Sequence, residues 1–434
     1  MASLNDSVKL PCGLVFPNRL VKAAMAEMLA GFQNTPNPSL INVYGQWAKG
    51  NWGAVLTGNV QVDINHLGTP FDPALNGTYT SPETNPELLS AWRKYAEVSQ
   101  AHGTPTLVQV CHPGRQSMRF SGRKGLFAST LAPSAIPLDM GDGFIQRWLG
   151  WFVFPPPREM GQKDIDAVTR QFVDTARLMA DAGFAGIELH GAHGYLIDQF
   201  LNPKSNTRTD AYGGTAAARA KFVLDIIAQI RAVVPPTFAI GIKFNSADYN
   251  SSSFEDTMTQ IGLLAEAGID FLEISGGSYE DPKMLSLDTS TNAQENAQPG
   301  QPNPTENGGK SARTAAREAF FLEFAASVRA RYPSLPLMLT GGFRSRSGAQ
   351  YALDQNACDL VGIGRPAAID PYFPQKLLDE GVSEEESSMR LKRVTLPFWA
   401  RWIPLAAIGA GAESSYYTGQ IQRIAKGLRT IMPI

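Results

Sequence analysis

Cysteine is scarce in this 434-residue chain: Cys12, Cys111 and Cys358 are odd in number and widely spaced. Without paired spacing they cannot form a zinc or iron–sulfur centre, and they are expected to be buried thiols. Charge of one sign is also missing, with 38 basic and 40 acidic residues and a formal net charge of −2. No Lys/Arg-rich run compensates, so nucleic acid is not an expected partner. The amino terminus lacks a basic start followed by an apolar run, so neither a signal peptide nor a membrane anchor is expected, and a cytoplasmic location is the default. The longest late apolar stretch, residues 402–412, is too short to span a bilayer and contains Pro404. No Gly-x-Gly-x-x-Gly opens a helix after a strand, which excludes a dedicated dinucleotide domain. No fixed-period repeat marks a solenoid.

What is present is an ordinary globular composition, 43% hydrophobic and 18% charged, able to bury a large core. Short β-rich runs alternate with helical segments. Strands are expected at residues 20–26, 53–60, 105–111, 184–190, 238–244, 269–275, 335–340 and 359–364, the pattern of a (β/α)8 TIM barrel. Between them apolar residues recur at three and four, as in Ile165, Val168, Phe172, Ala176 and Met179, or Phe222, Ile226, Ile227 and Ile230. Three segments interrupt the rhythm. Residues 115–161, after strand three, hold Phe144, Trp148, Trp151 and Phe152, and suit either a lid or a surface hairpin packed by its own aromatics. Residues 281–310 form a polar insertion after strand six with no apolar period. Residues 384–434, with Trp399, Trp402, Tyr416 and Tyr417, form a C-terminal extension expected to pack on the barrel of residues 1–383 or to join a homodimer interface.

Chemistry gathers at His190-Gly191-Ala192-His193-Gly194-Tyr195, directly after the fourth strand and ahead of Arg208-Thr209-Asp210-Ala211-Tyr212-Gly213-Gly214. Two imidazoles and a phenol at a strand's carboxyl end can polarise and protonate a substrate. A His-x-x-His pair could also recruit zinc, but no third ligand is marked nearby. His66, His102 and His112 have no motif around them and are expected in surface or packing roles. Gly341 and Gly342 after strand seven, with Gly364 and Arg365 closing strand eight, offer backbone amides and a charge to a phosphate, or are turn glycines of another phosphate-binding barrel. Lys243, within Gly241-Ile242-Lys243-Phe244, could be a Schiff-base nucleophile as well as a ligand to a cofactor.

The His190 to Gly214 block, with the strand ends quoted above, resembles the Old Yellow Enzyme family of FMN-dependent ene-reductases, and the likeness runs from about Leu10 to Pro374. It implies a bound FMN, with Ala23, Ala24, Met25 and Ala26 lining the flavin, Gly58 beneath it, and Gln109 and Lys243 at its pyrimidine edge. An amide can donate and accept there, and a cation stabilises the reduced form. The family more often places arginine at the Lys243 position, and usually Thr or Cys where this chain has Ala26. Met28 stands where one branch has a substrate-contacting tyrosine.

The resemblance also implies roles for the loop: His190 and His193 grip the carbonyl or nitro oxygen of an activated alkene, and Tyr195 gives the α-carbon its proton. NADPH or NADH is the transient reductant, entering the same pocket in a ping-pong cycle. Retention of the tyrosine favours net reduction over isomerisation. Relatives acting on amines or dienoyl thioesters carry an iron–sulfur cluster, which three scattered cysteines cannot hold. A non-enzymatic barrel used as an interaction module would have been suggested by loss of His190, His193 and Tyr195, and all three are present.

Overall fold

The computed structural model describes residues 2–141, 143–245, 254–275, 312–392, 394 and 406–433. The polar insertion at 281–310, with Trp399 and Trp402, lies outside the described residues. The chain opens on a hairpin, β1 (Val8–Lys9) with β2 (Val15–Phe16), turned at Gly13, whose φ of 92° favours glycine. Leu10 and Phe16 pack with Val21, Leu56, Leu107, Phe271, Met338 and Leu360, and the Cys12 N–H donates to Asp270 Oδ1 at 2.8 Å. The hairpin therefore plugs the amino-terminal end of the sheet. Cys12 is only half-buried, whereas Cys111 and Cys358 are buried as expected. A surface hairpin, not the core, carries it.

All eight barrel strands form where the alternation placed them. They are β3 (Leu20–Lys22), β4 (Ala54–Leu56), β6 (Thr106–Cys111), β9 (Gly186–Gly191), β10 (Ala239–Asn245), β11 (Phe271–Ser275), β12 (Leu337–Thr340) and β13 (Leu360–Ile363). Each pairs in parallel with its neighbours, and contact between β4 and β6 closes the ring; β5 (Val60–Gln61) extends the rim beside β6. Large and small side chains interlock inside. A Cβ on Gly241 would stand 2.1 Å from the Phe271 ring of the facing strand, so the phenyl group occupies the room that glycine leaves.

The helices cover the outside. They begin with α1 (Pro38–Ala48), α2 (Pro86–Ser99), α3 (Phe144–Val153), α4 (Gln162–Ala182), α5 (Leu196–Leu201) and α6 (Ala216–Arg231). After them come α7 (Phe254–Glu266), α8 (Ala312–Arg331), α9 (Arg346–Asp354), α10 (Arg365–Ile369), α11 (Phe373–Leu378) and α12 (Ala406–Ala425). The apolar stripes of α4 and α6 face the sheet, each of their named residues being buried. Among the described residues no helix is long and apolar enough to cross a membrane.

The segment after β6 contains α3 and two short paired strands, β7 (Thr130–Ala132) and β8 (Pro157–Glu159). Phe144, Trp148, Trp151 and Phe152 are exposed, with Trp148 stacked on Phe152 and Arg119 over Trp151. The Arg208 block is a clasp for this segment: Arg208 Nη1 donates to Pro133 O and Met160 O, and its guanidinium pairs with Asp210. Within the C-terminal segment, α12 lies against α1 and α10, with Tyr417 buried.

Candidate active site

The fourth barrel strand ends in a turn that few residues can make. His193 and Gly194 both have left-handed backbones, with φ of 60° and 75°. Asp198 holds that turn by accepting from Gly194 N at 2.7 Å and from Asn245 Nδ2 at 2.9 Å, while Asn245 Oδ1 accepts from His193 N. Gln116, in the segment after β6, donates to His193 O at 2.9 Å. The result is a fixed loop in which the His190 ring lies 5.0 Å from His193 and 4.5 Å from Tyr195, centroid to centroid. The three residues read from the sequence are brought together.

Both imidazoles are neutral. Burial, the other imidazole and Lys243 hold His190 well below its ordinary pKa, and burial with Lys243 pushes His193 down to about 3. The backbone N–H of Ala192 points at His190 Nδ1 at 3.4 Å, which leaves the ring proton on Nε2. His193 Nε2 stands 3.0 Å from Ser275 Oγ. The His190 ring thus keeps its Nε2–H for an acceptor.

Below this pair lies a buried ionic cluster. Lys243 Nζ is 2.7 Å from Glu273 Oε1, and Gln109 Nε2 donates to Glu188 Oε2 at 2.6 Å. Register explains the meeting, since Lys243 sits opposite both Glu273 and His190 on adjoining strands. Burial and the Glu273 charge hold Glu188 well above the usual carboxylate range. Burial would raise Glu273 too, but the ammonium of Lys243 holds it below its ordinary value; Glu273 and Glu188 in turn raise Lys243 against the effect of burial. The lysine expected at a flavin edge is therefore one half of an ion pair. Glu273 was missed because an acidic residue in a strand reads as a rim group until the register of the next strand is known.

The first strand's end also holds more than its alanines. Glu27 is buried, and its Oε1 accepts from Tyr44 Oη and, at 2.8 Å, from Gly58 N. Lys22, buried 4.2 Å from the Trp47 ring, donates to Leu56 O and is pushed down to about 8, mainly by burial. Ala23 and Ala26 contact neighbouring elements through the backbone: Ala23 N donates to Ile363 O, and Ala26 O accepts from Thr418 Oγ1 on α12. Met28 has a left-handed backbone, φ 53°.

The glycines at the ends of β12 and β13 are those expected from the sequence to meet a phosphate. Gly341 and Gly342 take φ of 153° and 81°, and Gly364 precedes the first turn of α10. A Cβ on Gly341 or Gly364 would find its nearest neighbour at 3.9 and 3.8 Å, an ordinary van der Waals contact, the latter with the Met25 sulfur. Two groups assigned to the flavin have protein partners as well: Gly58 N bonds to Glu27, and Arg365 Nη1 pairs with Glu413 at 2.6 Å.

His112 is not a lone packing histidine. It adjoins Asp63 and His66, the one trio of possible metal ligands among the described residues. Gly114 N donates to His112 Nδ1 at 3.0 Å, which puts the ring proton on Nε2, the atom facing Asp63, and that tautomer opposes metal binding there. Burial and the neighbouring His66 push His112 down to about 3.

A stability consequence follows from these neutral rings. Unfolded imidazoles titrate near 6.5, whereas His193 and His112 titrate at about 3 in the fold. Between those values the unfolded chain binds more protons, so stability is lost as pH falls, by up to about 1.4 kcal/mol per pH unit for each ring. The thermal midpoint is expected to drop steeply below pH 6, and less steeply in His112→Gln. Equal slopes for the two proteins would contradict this.

A closed parallel barrel with polar groups at the strands' carboxyl ends is the TIM-barrel arrangement of an enzyme site, and the family match makes it a flavin oxidoreductase of that fold. The profile of the NADH:flavin oxidoreductase / NADH oxidase family matches residues 14–384, and the chain belongs to this family, that of old yellow enzyme. It is 41% identical over 418 residues to the NADH-dependent flavin oxidoreductase iliE of Hypocrea jecorina (strain QM6a), covering 95% of this chain and 99% of that protein. It is also 41% identical to the iliE protein of Neonectria sp. (strain DH2), covering 96% of this chain but 54% of that one, so it spans about half that relative's length. In fold it resembles the old yellow enzyme homologue from Zymomonas mobilis, with a TM-score of 0.65, 20% identity, and coverage of 90% and 97% of the two chains.

Proposed function

We propose that the protein is an FMN-dependent ene-reductase that takes hydride from NADH or NADPH and reduces the C=C bond of an α,β-unsaturated carbonyl or nitro compound. The observation that carries this reading is the neutral His190 and His193 pair, fixed side by side with Tyr195. Bound FMN supplies the hydride chemistry. His190 Nε2–H and the His193 N–H bind the substrate's electron-withdrawing oxygen and drain density from the alkene. Tyr195 holds the proton that the α-carbon receives. Gln109 and Lys243 would hold the pyrimidine edge, the amides at Gly341, Gly342 and Gly364 the phosphate, with the charge of Arg365 beside it, and Ala23 to Ala26 the ring's edge. The cytoplasm is the proposed setting and a homodimer the proposed assembly. Anaerobic mixing of NADH-bleached enzyme with 2-cyclohexenone tests the reading: return of the yellow colour supports it, and persistence of the bleached state rejects it.

Ala26 bears on the cofactor's potential. A methyl group offers no hydrogen bond, so the flavin is expected to be harder to reduce here than beside a hydroxyl. Ala26→Thr is expected to raise the midpoint potential. A potential unchanged or lowered by the substitution would reject the role.

A further inference from the structure

The phenol that the proposed reaction uses as its acid has a partner from a different strand. Asn59 follows Gly58 at the end of the second barrel strand, and its Nδ2 donates to Tyr195 Oη at 3.1 Å. Two things follow from the direction of that bond. The phenolic oxygen acts as acceptor, so the Tyr195 proton is directed away from Asn59. And the amide N–H favours the phenolate over the phenol, because an incoming hydrogen bond stabilises the developing negative charge.

We propose that Asn59 is a positioning residue that acidifies Tyr195 and aims its proton at the substrate's α-carbon, an inference that rests on the ene-reductase reading. In the step concerned, the Tyr195 O–H bond breaks and a C–H bond forms at the α-carbon. The electron pair of the O–H bond stays on the phenolate oxygen, where Asn59 donates, and water returns the proton afterwards.

The surroundings make such a donor necessary. Tyr195 is buried, and burial disfavours a phenolate. Among the described residues, titratable groups near it include His190 at the end of β9, His193 on its own loop and Asp72 on the segment after β5. A Cβ on Gly68 would lie 3.1 Å from Asp72 Oδ2 and 3.9 Å from Tyr195 Oη, so that carboxyl and the phenol flank one small space. Burial pushes Asp72 up to about 6, and once ionised it also disfavours the phenolate. Neither imidazole carries a charge to offset this. Asn59 does donate to the oxygen.

Four proteins test the inference: the wild type, Asn59→Leu, Asn59→Asp and Tyr195→Phe, each loaded with FMN. Reoxidation of the reduced enzymes by 2-cyclohexenone is followed across pH, and tyrosinate absorbance is titrated with Tyr195→Phe as the blank. Asn59→Leu is expected to slow reoxidation about tenfold and to move appearance of the Tyr195 phenolate up by about one pH unit. Asn59→Asp has the same shape but accepts instead of donating, and is expected to be slower still. If Asn59→Asp keeps the wild-type rate and phenolate titration, the side chain merely fills space and the proposal is overturned. If instead Tyr195→Phe keeps the wild-type rate, the proton-donor reading fails. The titration still reports separately whether Asn59 acidifies the phenol.

Discussion

Replacing His190 or His193 by alanine is expected to slow reoxidation of the reduced enzyme by an enone about 10²- to 10³-fold, the loss of about 2.7 to 4 kcal/mol of transition-state stabilisation. Each ring is a neutral donor in a buried site, where a hydrogen bond to developing negative charge counts for more than in water. In the proposed mechanism the two act on one oxygen, so the double variant should lose less than the product of the single losses. Because neither ring titrates near neutrality, the wild-type rate should show no limb between pH 6 and 7 from either. Single-turnover kinetics check both points. A loss of under about threefold in both single variants would remove the imidazoles from the mechanism.

Lys243→Met is expected to destabilise the protein by about 3 to 5 kcal/mol, because it leaves the Glu273 carboxylate buried without its cation. The double variant Lys243→Met with Glu273→Gln should recover much of that loss, since removing both charges removes the uncompensated one. Urea unfolding of the four proteins forms the cycle. Additive losses would show that the 2.7 Å pair is not coupled. In the proposed flavin site the same pair bears on the cofactor: with its charge balanced by Glu273, Lys243 would present a weaker field than an unpaired cation. Glu273→Gln is thus expected to raise the flavin midpoint potential.

The barrel was legible because its signals are local. Each strand is a short β-rich run, and each helix stripe, such as Phe222, Ile226, Ile227 and Ile230, follows from periodicity alone. The His190, His193 and Tyr195 constellation was legible for the same reason, since all three lie within one loop. What escaped the sequence depends on register between strands far apart in the chain. Glu273 meets Lys243 only because β11 lies beside β10 at that pairing, and Asn59 meets Tyr195 only because the barrel closes. Glu188 lies on the same strand as His190, but the raised pKa it owes to burial and the Glu273 charge depends on a neighbouring strand that no spacing in the sequence reveals. The Asp63, His66 and His112 trio is likewise assembled across two loops.

The most direct test of the account is an anaerobic titration of the purified protein loaded with FMN. NADH or NADPH is added until the flavin absorbance bleaches, followed by 2-cyclohexenone, with the product examined for saturation of the ring. Stoichiometric return of the flavin band with one cyclohexanone formed per flavin is the expected result. A protein that takes up no FMN, or one whose bleached flavin is reoxidised by oxygen but not by the enone, would contradict the account.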